Sequence, residues 1–175
     1  MTIDTDRKFK PINIAVVTVS DTRTAENDTS GDILVARVTS AGHNLATRAI
    51  EKDDANVLAA RFNAWIDDPT IDAIISTGGT GLTGRDVTPE ALDQVKEKDI
   101  PGFGEVFRYL SLKTIGTSTV QSRACAVVAR GTYLFALPGS NGAVKDGWDG
   151  ILAEQLDSRN RPCNFVELMP RLKEV

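Results

Sequence analysis

The chain has 175 residues, with 20 Lys and Arg, 24 Asp and Glu, one His and two Cys, and a formal charge of −4. A hydrophobic share of 41% beside 25% charged residues excludes disordered and fibrous classes, and one domain is expected at this length. The absence of a basic tract argues against a nucleic-acid partner, and one His with two Cys cannot build a four-ligand Cys/His zinc site.

In chain order, Ile12 to Val19 is rich in Val and Ile and predicts a first buried strand. Ile33, Leu34, Val38 and Ala41 then share one helical face that ends at Gly42. His43 to Ile50 suggests a second strand. Leu58, Phe62, Trp65 and Ile66 mark an amphipathic helix closed by Pro69, and Ile71 to Ser76 the next strand. Thr88-Pro89-Glu90 is a helix start, with a hydroxyl N-cap, a proline at the first helical position and an acid near the positive end. Pro101-Gly102 breaks the chain before a helix carrying Phe103, Val106, Phe107 and Leu110. Cys125 to Ala129 and Thr132 to Leu137 read as strands meeting at Arg130-Gly131, followed by a helix with Val144, Trp148, Ile151 and Leu152. The segment from Ser158 onward has no clear period. The expectation is a three-layer α/β/α single domain over residues 1–175, with a mostly parallel sheet, a core of about 12–157 and a tail of 158–175.

Compartment follows from similar reasoning. Met1 to Pro11 is polar with no apolar signal core, and the most apolar run, Tyr133 to Leu137, falls far short of the roughly 20 residues needed to cross a bilayer. Cys125 and Cys163 make a poor disulfide framework. No membrane partner and a cytoplasmic location are expected.

The most informative segment runs from Ser76 to Asp86 and contains Thr77, Gly78, Gly79, Thr80, Gly81 and Gly84. It leaves a strand end, where ligands bind in open α/β sheets, and its glycines let backbone amides approach an anion. Gly79, Gly81 and Gly84 satisfy G-x-G-x-x-G, but the helix begins only at Thr88, so a dinucleotide reading lacks its context. Gly79 and Gly84 also have Walker spacing, yet Arg85 and Asp86 stand where Lys and Ser/Thr belong. Asp86 either favours the helix start or, beside a phosphate-cradling loop, orients Mg²⁺ between phosphates. Asp53 and Asp54 precede a helix that either could cap. Ser20-Asp21-Thr22 and Pro138-Gly139-Ser140-Asn141 are strand-end loops suited equally to anion contact or ordinary turns. Ser122-Arg123 offers a hydroxyl and a charge for a phosphate or a surface ion pair. His43 has no obvious partner and reads as structural, and Cys125 as a core thiol.

Val19-Ser20-Asp21, the segment from Thr77 through Arg85-Asp86-Val87-Thr88-Pro89-Glu90-Ala91, Pro101-Gly102-Phe103-Gly104-Glu105, Gln121-Ser122-Arg123 and Leu137-Pro138-Gly139-Ser140 occur in this order. Together they resemble the molybdenum cofactor biosynthesis proteins of the MoaB/Mog family, over roughly Ile12 to Asn164. The segment Leu156 to Phe165 resembles the MoaB branch. The resemblance implies a molybdopterin-binding domain that assembles as trimers, with hexamers in the MoaB branch. In the catalytic branch Mg²⁺ and ATP serve to adenylylate the terminal phosphate of molybdopterin before molybdate insertion by a partner protein. It further implies that Asp53 and Asp86 are the essential, metal-holding acids. Ser20, Asp21, Thr77, Gly78, Gly79, Thr80, Gly81, Ser122, Gly139 and Ser140 match ligand-contacting positions. A non-catalytic molybdopterin carrier is the alternative. This chain has Lys52-Asp53-Asp54 where the catalytic branch commonly has Pro-Asp-Glu, and Pro-Gly-Ser-Asn at residues 138–141 where Pro-Gly-Asn-Pro is often seen.

Overall fold

The computed structural model describes residues 2–174. In chain order the elements are β1 (Thr2–Ile3), β2 (Asn13–Val19), α1 (Thr29–Ser40), β3 (Asn44–Glu51), α2 (Ala55–Ile66), β4 (Ala73–Thr77), α3 (Thr88–Asp93), β5 (Lys98–Asp99), α4 (Pro101–Ile115), β6 (Cys125–Ala129), β7 (Thr132–Leu137), α5 (Asn141–Gly147), α6 (Ala153–Gln155), β8 (Asn160–Arg161) and α7 (Phe165–Leu168). Six strands form one sheet in the order β3-β2-β4-β7-β6-β5. β3, β2, β4 and β7 run parallel, with Val16 opposite Arg48 and Ile75, and Ile75 opposite Phe135. β6 reverses against β7 because Arg130 (φ +48°) and Gly131 (φ +90°) make a two-residue hairpin turn with both residues left-handed.

The inner strands β2, β4, β7 and β6 read as continuous apolar runs because both faces are covered, whereas the edge strands β3 and β5 are partly exposed. Along β2, Ile14 and Val16 join one cluster with Leu34, Val38, Phe107, Phe135 and Trp148. Ala15, Val17 and Val19 point the other way, to Leu58, Phe62, Trp65 and Leu92. The pleat thus sorts alternate residues between α1, α4 and α5 on one face and α2 and α3 on the other, giving the expected three layers. Each fully buried Phe or Leu contributes about 1.5–3 kcal/mol to holding them together.

Three elements differ from the sequence expectation. The last amphipathic helix is not continuous: α5 passes into a π-helical turn at Trp148–Leu152 before α6. The aperiodic tail is ordered, since β8 pairs with β1 and Phe165, Val166, Met169 and Leu172 pack on the α1/α4/α5 cluster. Its order comes from contacts distant in sequence, which periodicity does not register. Thr88 is not the N-cap of α3; Val87 holds that position without a side-chain cap bond, and Thr88 lies inside the helix start with its hydroxyl turned elsewhere.

His43 is buried where α1 returns to the sheet, its Nδ1 accepting the Ile12 amide at 3.3 Å, with Phe9 and Trp148 against the ring. Burial pushes its pKa down, partly opposed by Asp157. Cys125 is half-buried, and burial pushes its thiol up to about 11. His43 is packed as the structural group expected from the sequence, whereas Cys125, expected in the core, packs only partly buried against the α2/α3 cluster. Among the described residues no helix is long and apolar enough to cross a membrane.

Candidate functional site

The parallel strands β3, β2, β4 and β7 deliver four loops to one edge of the sheet: Lys52–Asp54, Ser20–Asn27, Gly78–Val87 and Pro138–Ser140. The loop after β4 is the centre of the group. Gly78 (φ +106°) and Gly79 (φ +65°) take left-handed conformations, and a side chain on Gly78 would collide with the Val19 carbonyl oxygen. The Gly78 amide donates to the Leu137 carbonyl at 2.9 Å, and the Thr77 hydroxyl to the Pro138 carbonyl at 3.1 Å, tying this loop to the one after β7. From the other side the Thr88 hydroxyl donates to the Gly78 carbonyl at 2.8 Å, and the Thr88 amide to the Gly79 carbonyl at 2.9 Å.

The ambiguity of the acidic pair Asp53-Asp54 is resolved by the helix cap. Asp54 caps α2, its Oδ1 accepting the amides of Asn56 at 2.9 Å and Val57 at 3.0 Å. Asp53 is thereby free to turn to the loops, where it accepts the Asp21 amide at 3.0 Å and abuts Gly79. Burial and the negative charge of Asp86 push the Asp53 carboxyl above its ordinary range. Asp86 is pulled the other way. Its Oδ2 accepts the amide of Thr83 at 2.8 Å and the hydroxyl at 2.7 Å, so it closes the glycine loop rather than capping α3. Burial opposes its ionisation, but those bonds, the Gly81 amide and the charge of Arg123 hold it below the usual carboxylate value.

Arg123 acts as a strap. Its Nε donates to the Gly81 carbonyl and its Nη2 to the Asp86 carbonyl, each at 2.6 Å, while both Nη atoms pair with Glu90. Of the two uses the sequence left open, its charge is spent on an ion pair with Glu90 and on loop carbonyls. Arg85 pairs with Asp21.

Two adjoining cavities open here. One, of about 300 Å³, is lined by Ser20, Thr77, Gly78, Gly79, Thr80, Gly81, Asp86 and Gly139, all expected from the sequence, together with Arg23 and Ser30, which were not. The second, of about 330 Å³, shares Thr80, Gly81 and Pro138 with the first and is completed by Ser122, Ser140, Phe107, Ser111 and Ile115 among others. The first is walled by amides, hydroxyls and a carboxylate and suits phosphates, whereas the aromatic and aliphatic side chains of the second suit a flat ring system. Asp21 and Asp53 line neither cavity but meet the glycine loop beside the first, through Arg85 and Gly79 respectively.

Several expected ligand-contacting hydroxyls also serve the backbone. Ser20 Oγ accepts the amides of Thr22 and Arg23, Ser122 Oγ that of Ala124, and Ser140 caps α5 through the Ala143 amide. Arg23, in the loop between β2 and α1, and Ser30, in the first turn of α1, escaped the sequence reading because that loop carries no glycine signature. Its one local signal is the run of polar residues that leads into the helix.

Among the described residues no three His, Cys, Asp or Glu side chains converge as a metal cage. Asp53, against Gly79, and Asp86, bonded to Thr83, are the two carboxylates at the glycine loop, a number suited to Mg²⁺. That ion usually takes one or two carboxylates and completes its shell with phosphate oxygens and water.

A family profile described as a probable molybdopterin binding domain matches residues 15–158. Molybdenum cofactor biosynthesis protein B of Escherichia coli K12 is 47% identical over 167 residues, covering 95% of this chain and 96% of its own. A crystal structure of a molybdenum cofactor biosynthesis protein B superposes with a TM-score of 0.83 at 38% identity, covering 86% of this chain and 94% of the other. The tungsten cofactor synthesizing protein MoaB from Pyrococcus furiosus superposes with a TM-score of 0.72 at 36% identity, covering 83% and 92%.

Proposed function

The chain belongs to the MoaB family of molybdopterin-binding, molybdenum cofactor biosynthesis proteins, and on that premise we propose that it adenylylates the terminal phosphate of molybdopterin with Mg-ATP. The observation that carries this reading is that Asp54 alone caps α2, which leaves Asp53 beside Asp86 at the glycine loop. Two carboxylates next to a cavity suited to phosphates would repel an anionic substrate unless a cation joined them. Asp53 and Asp86 would hold Mg²⁺, which when bound supplies positive charge to the reacting phosphates.

The chemistry asks little of acids or bases. An oxygen of the molybdopterin phosphate, already anionic near neutral pH, attacks the α-phosphorus of ATP. A new O–P bond forms, the bond from the α-phosphorus to the bridging oxygen breaks, and the electron pair leaves with pyrophosphate. What the protein must supply is the approach of two anions and charge for the leaving group. The amides of Gly79, Thr80 and Gly139 in the cavity wall suit the first requirement, and the cavity lined by Phe107 and Ile115 suits a ring of either substrate. Adenylyl-molybdopterin would pass to a molybdate-insertion partner.

A second reading has its own support. Because Asp86 Oδ2 is already engaged by Thr83, Asp86 can be explained as a loop closure in a molybdopterin carrier that performs no transfer. Purified protein incubated with molybdopterin, ATP and Mg²⁺ separates the two. Adenylyl-molybdopterin and pyrophosphate from the parent, absent with Asp53→Asn or Asp86→Asn, would support the transferase. Tight molybdopterin binding without product would leave the carrier.

The outer side of α4 presents Val106, Tyr109, Leu112 and Ile115 at three-residue spacing, all exposed, with exposed Val120 following. This apolar strip supports self-association as the trimer or hexamer expected of the family, which sedimentation velocity would measure.

A further inference from the structure

We infer that Arg23 receives the polyphosphate of the nucleotide and supplies the positive charge that pyrophosphate needs as it leaves. The inference rests on reading the cleft as an adenylyl-transfer site.

The argument begins with the charges around the phosphate-sized cavity. Asp21, Asp53, Asp86 and Glu90 are all near it, on a chain whose formal charge is −4. A triphosphate meeting a phosphate monoester there needs cationic partners beyond a metal ion. Arg123 is consumed by Glu90 and two loop carbonyls, and Arg85 by Asp21. Arg23 also lines the cavity, and among the described residues it forms no ion pair with a carboxylate.

Its placement is fixed rather than free. The Ser20 hydroxyl accepts the backbone amides of both Thr22 and Arg23 at 3.2 Å, turning the chain directly after β2. Asn27 closes the loop from its other end, its Oδ1 accepting the Thr24 amide at 2.8 Å and its amide reaching the Thr24 carbonyl at 3.2 Å. The Asn27 carbonyl also takes one guanidinium nitrogen, Nη1, at 2.6 Å. Nε and Nη2 remain as a fork for phosphate oxygens. The residue is exposed, so it stands where the cavity meets solvent, the side from which pyrophosphate can depart. As the bridging oxygen takes the electron pair, charge grows on the group nearest this guanidinium.

The test is calorimetric titration of the parent, Arg23→Ala and Arg23→Lys with Mg-ATP, AMP, inorganic pyrophosphate and molybdopterin. Arg23→Ala should weaken ATP and pyrophosphate about tenfold or more, since a charge-assisted bond to a phosphate is lost. AMP and molybdopterin should bind as to the parent, and Arg23→Lys should recover part of the loss. The inference is overturned if Arg23→Ala binds ATP and pyrophosphate like the parent. It is equally overturned if AMP weakens as much as ATP, or if molybdopterin weakens instead and Arg23 holds the phosphate of the pterin. Parent protein that binds pyrophosphate through Arg23 yet forms no adenylyl product would sink the transferase reading and with it the leaving-group role, leaving Arg23 as a polyphosphate contact. Parent protein that binds neither ATP nor pyrophosphate would sink both.

Discussion

Thr88 donates its hydroxyl to the carbonyl of Gly78 at 2.8 Å, so the first turn of α3 is bonded to a loop ten residues before it in the chain. The Thr88 side chain is fully buried, and water cannot replace the bond. Thr88→Val keeps the shape and deletes the donor, leaving a buried carbonyl unpaired at a cost of about 1–3 kcal/mol. Urea unfolding should show a lower midpoint with an unchanged slope, and Thr88→Ser should retain most of the stability.

Glycines of the same loop should differ sharply in their tolerance. Gly78→Ala combines a left-handed φ with a backbone collision at Val19, and a loss of more than about 2 kcal/mol is expected. Gly84→Ala meets nothing within 4 Å and should stay within about 0.5 kcal/mol of the parent. Thermal melts of the two variants side by side check this, and equal effects would contradict the packing described.

Much of this was legible in the sequence, for identifiable reasons. β2, β4, β6 and β7 are buried apolar runs, and the helix carrying Leu58, Phe62 and Trp65 has one clean stripe, so composition and period located them. The glycine loop announced itself because only glycine can take φ values such as that of Gly78. What period cannot show is which of two adjacent side chains a helix uses as its cap, and so Asp53 and Asp54 were indistinguishable until Asp54 was seen on the α2 amides. Arg123 read as an equal choice between phosphate and surface pair because its partners Gly81, Asp86 and Glu90 lie 33 or more residues away. The tail failed for the same reason, its order depending on β1 at the other end of the chain.

Asp53 gives a pH-dependent test with a definite sign. Its folded pKa is raised by burial and by Asp86, so its contribution to stability is complete below the ordinary aspartate pKa and is lost as pH rises through the folded value. Asp53→Asn stays neutral and can still accept the Asp21 amide. It should therefore melt higher than the parent at neutral pH without divalent cations, with the difference closing as the solution is acidified. Added Mg²⁺ should raise the parent and leave the variant unmoved.

His43 titrates in the opposite sense to the usual paired histidine. Burial lowers its pKa, and its Nδ1 must stay unprotonated to accept the Ile12 amide. The stability it provides is present above the unfolded value of about 6.5 and declines as pH falls through that value toward the lower folded one. Urea midpoints between about pH 7 and 5 should fall in the parent and fall less in His43→Gln. As this is the one histidine in the chain, a single imidazole resonance followed by NMR would read the folded pKa directly.

The four loops of the cleft come from β3, β2, β4 and β7, so residues from Ser20 to Ser140 meet only once the sheet between them has assembled. The first half of the chain supplies three of these loops, but the wall made by Pro138 and Gly139 is added only when β7 pairs with β4. Ligand occupancy is therefore thermodynamically equivalent to a vote for the whole native sheet, and every bound molecule should raise the melting temperature of the entire domain as one transition. Heat-induced unfolding followed against ligand concentration thus becomes a binding assay that needs neither a label nor a turnover reaction.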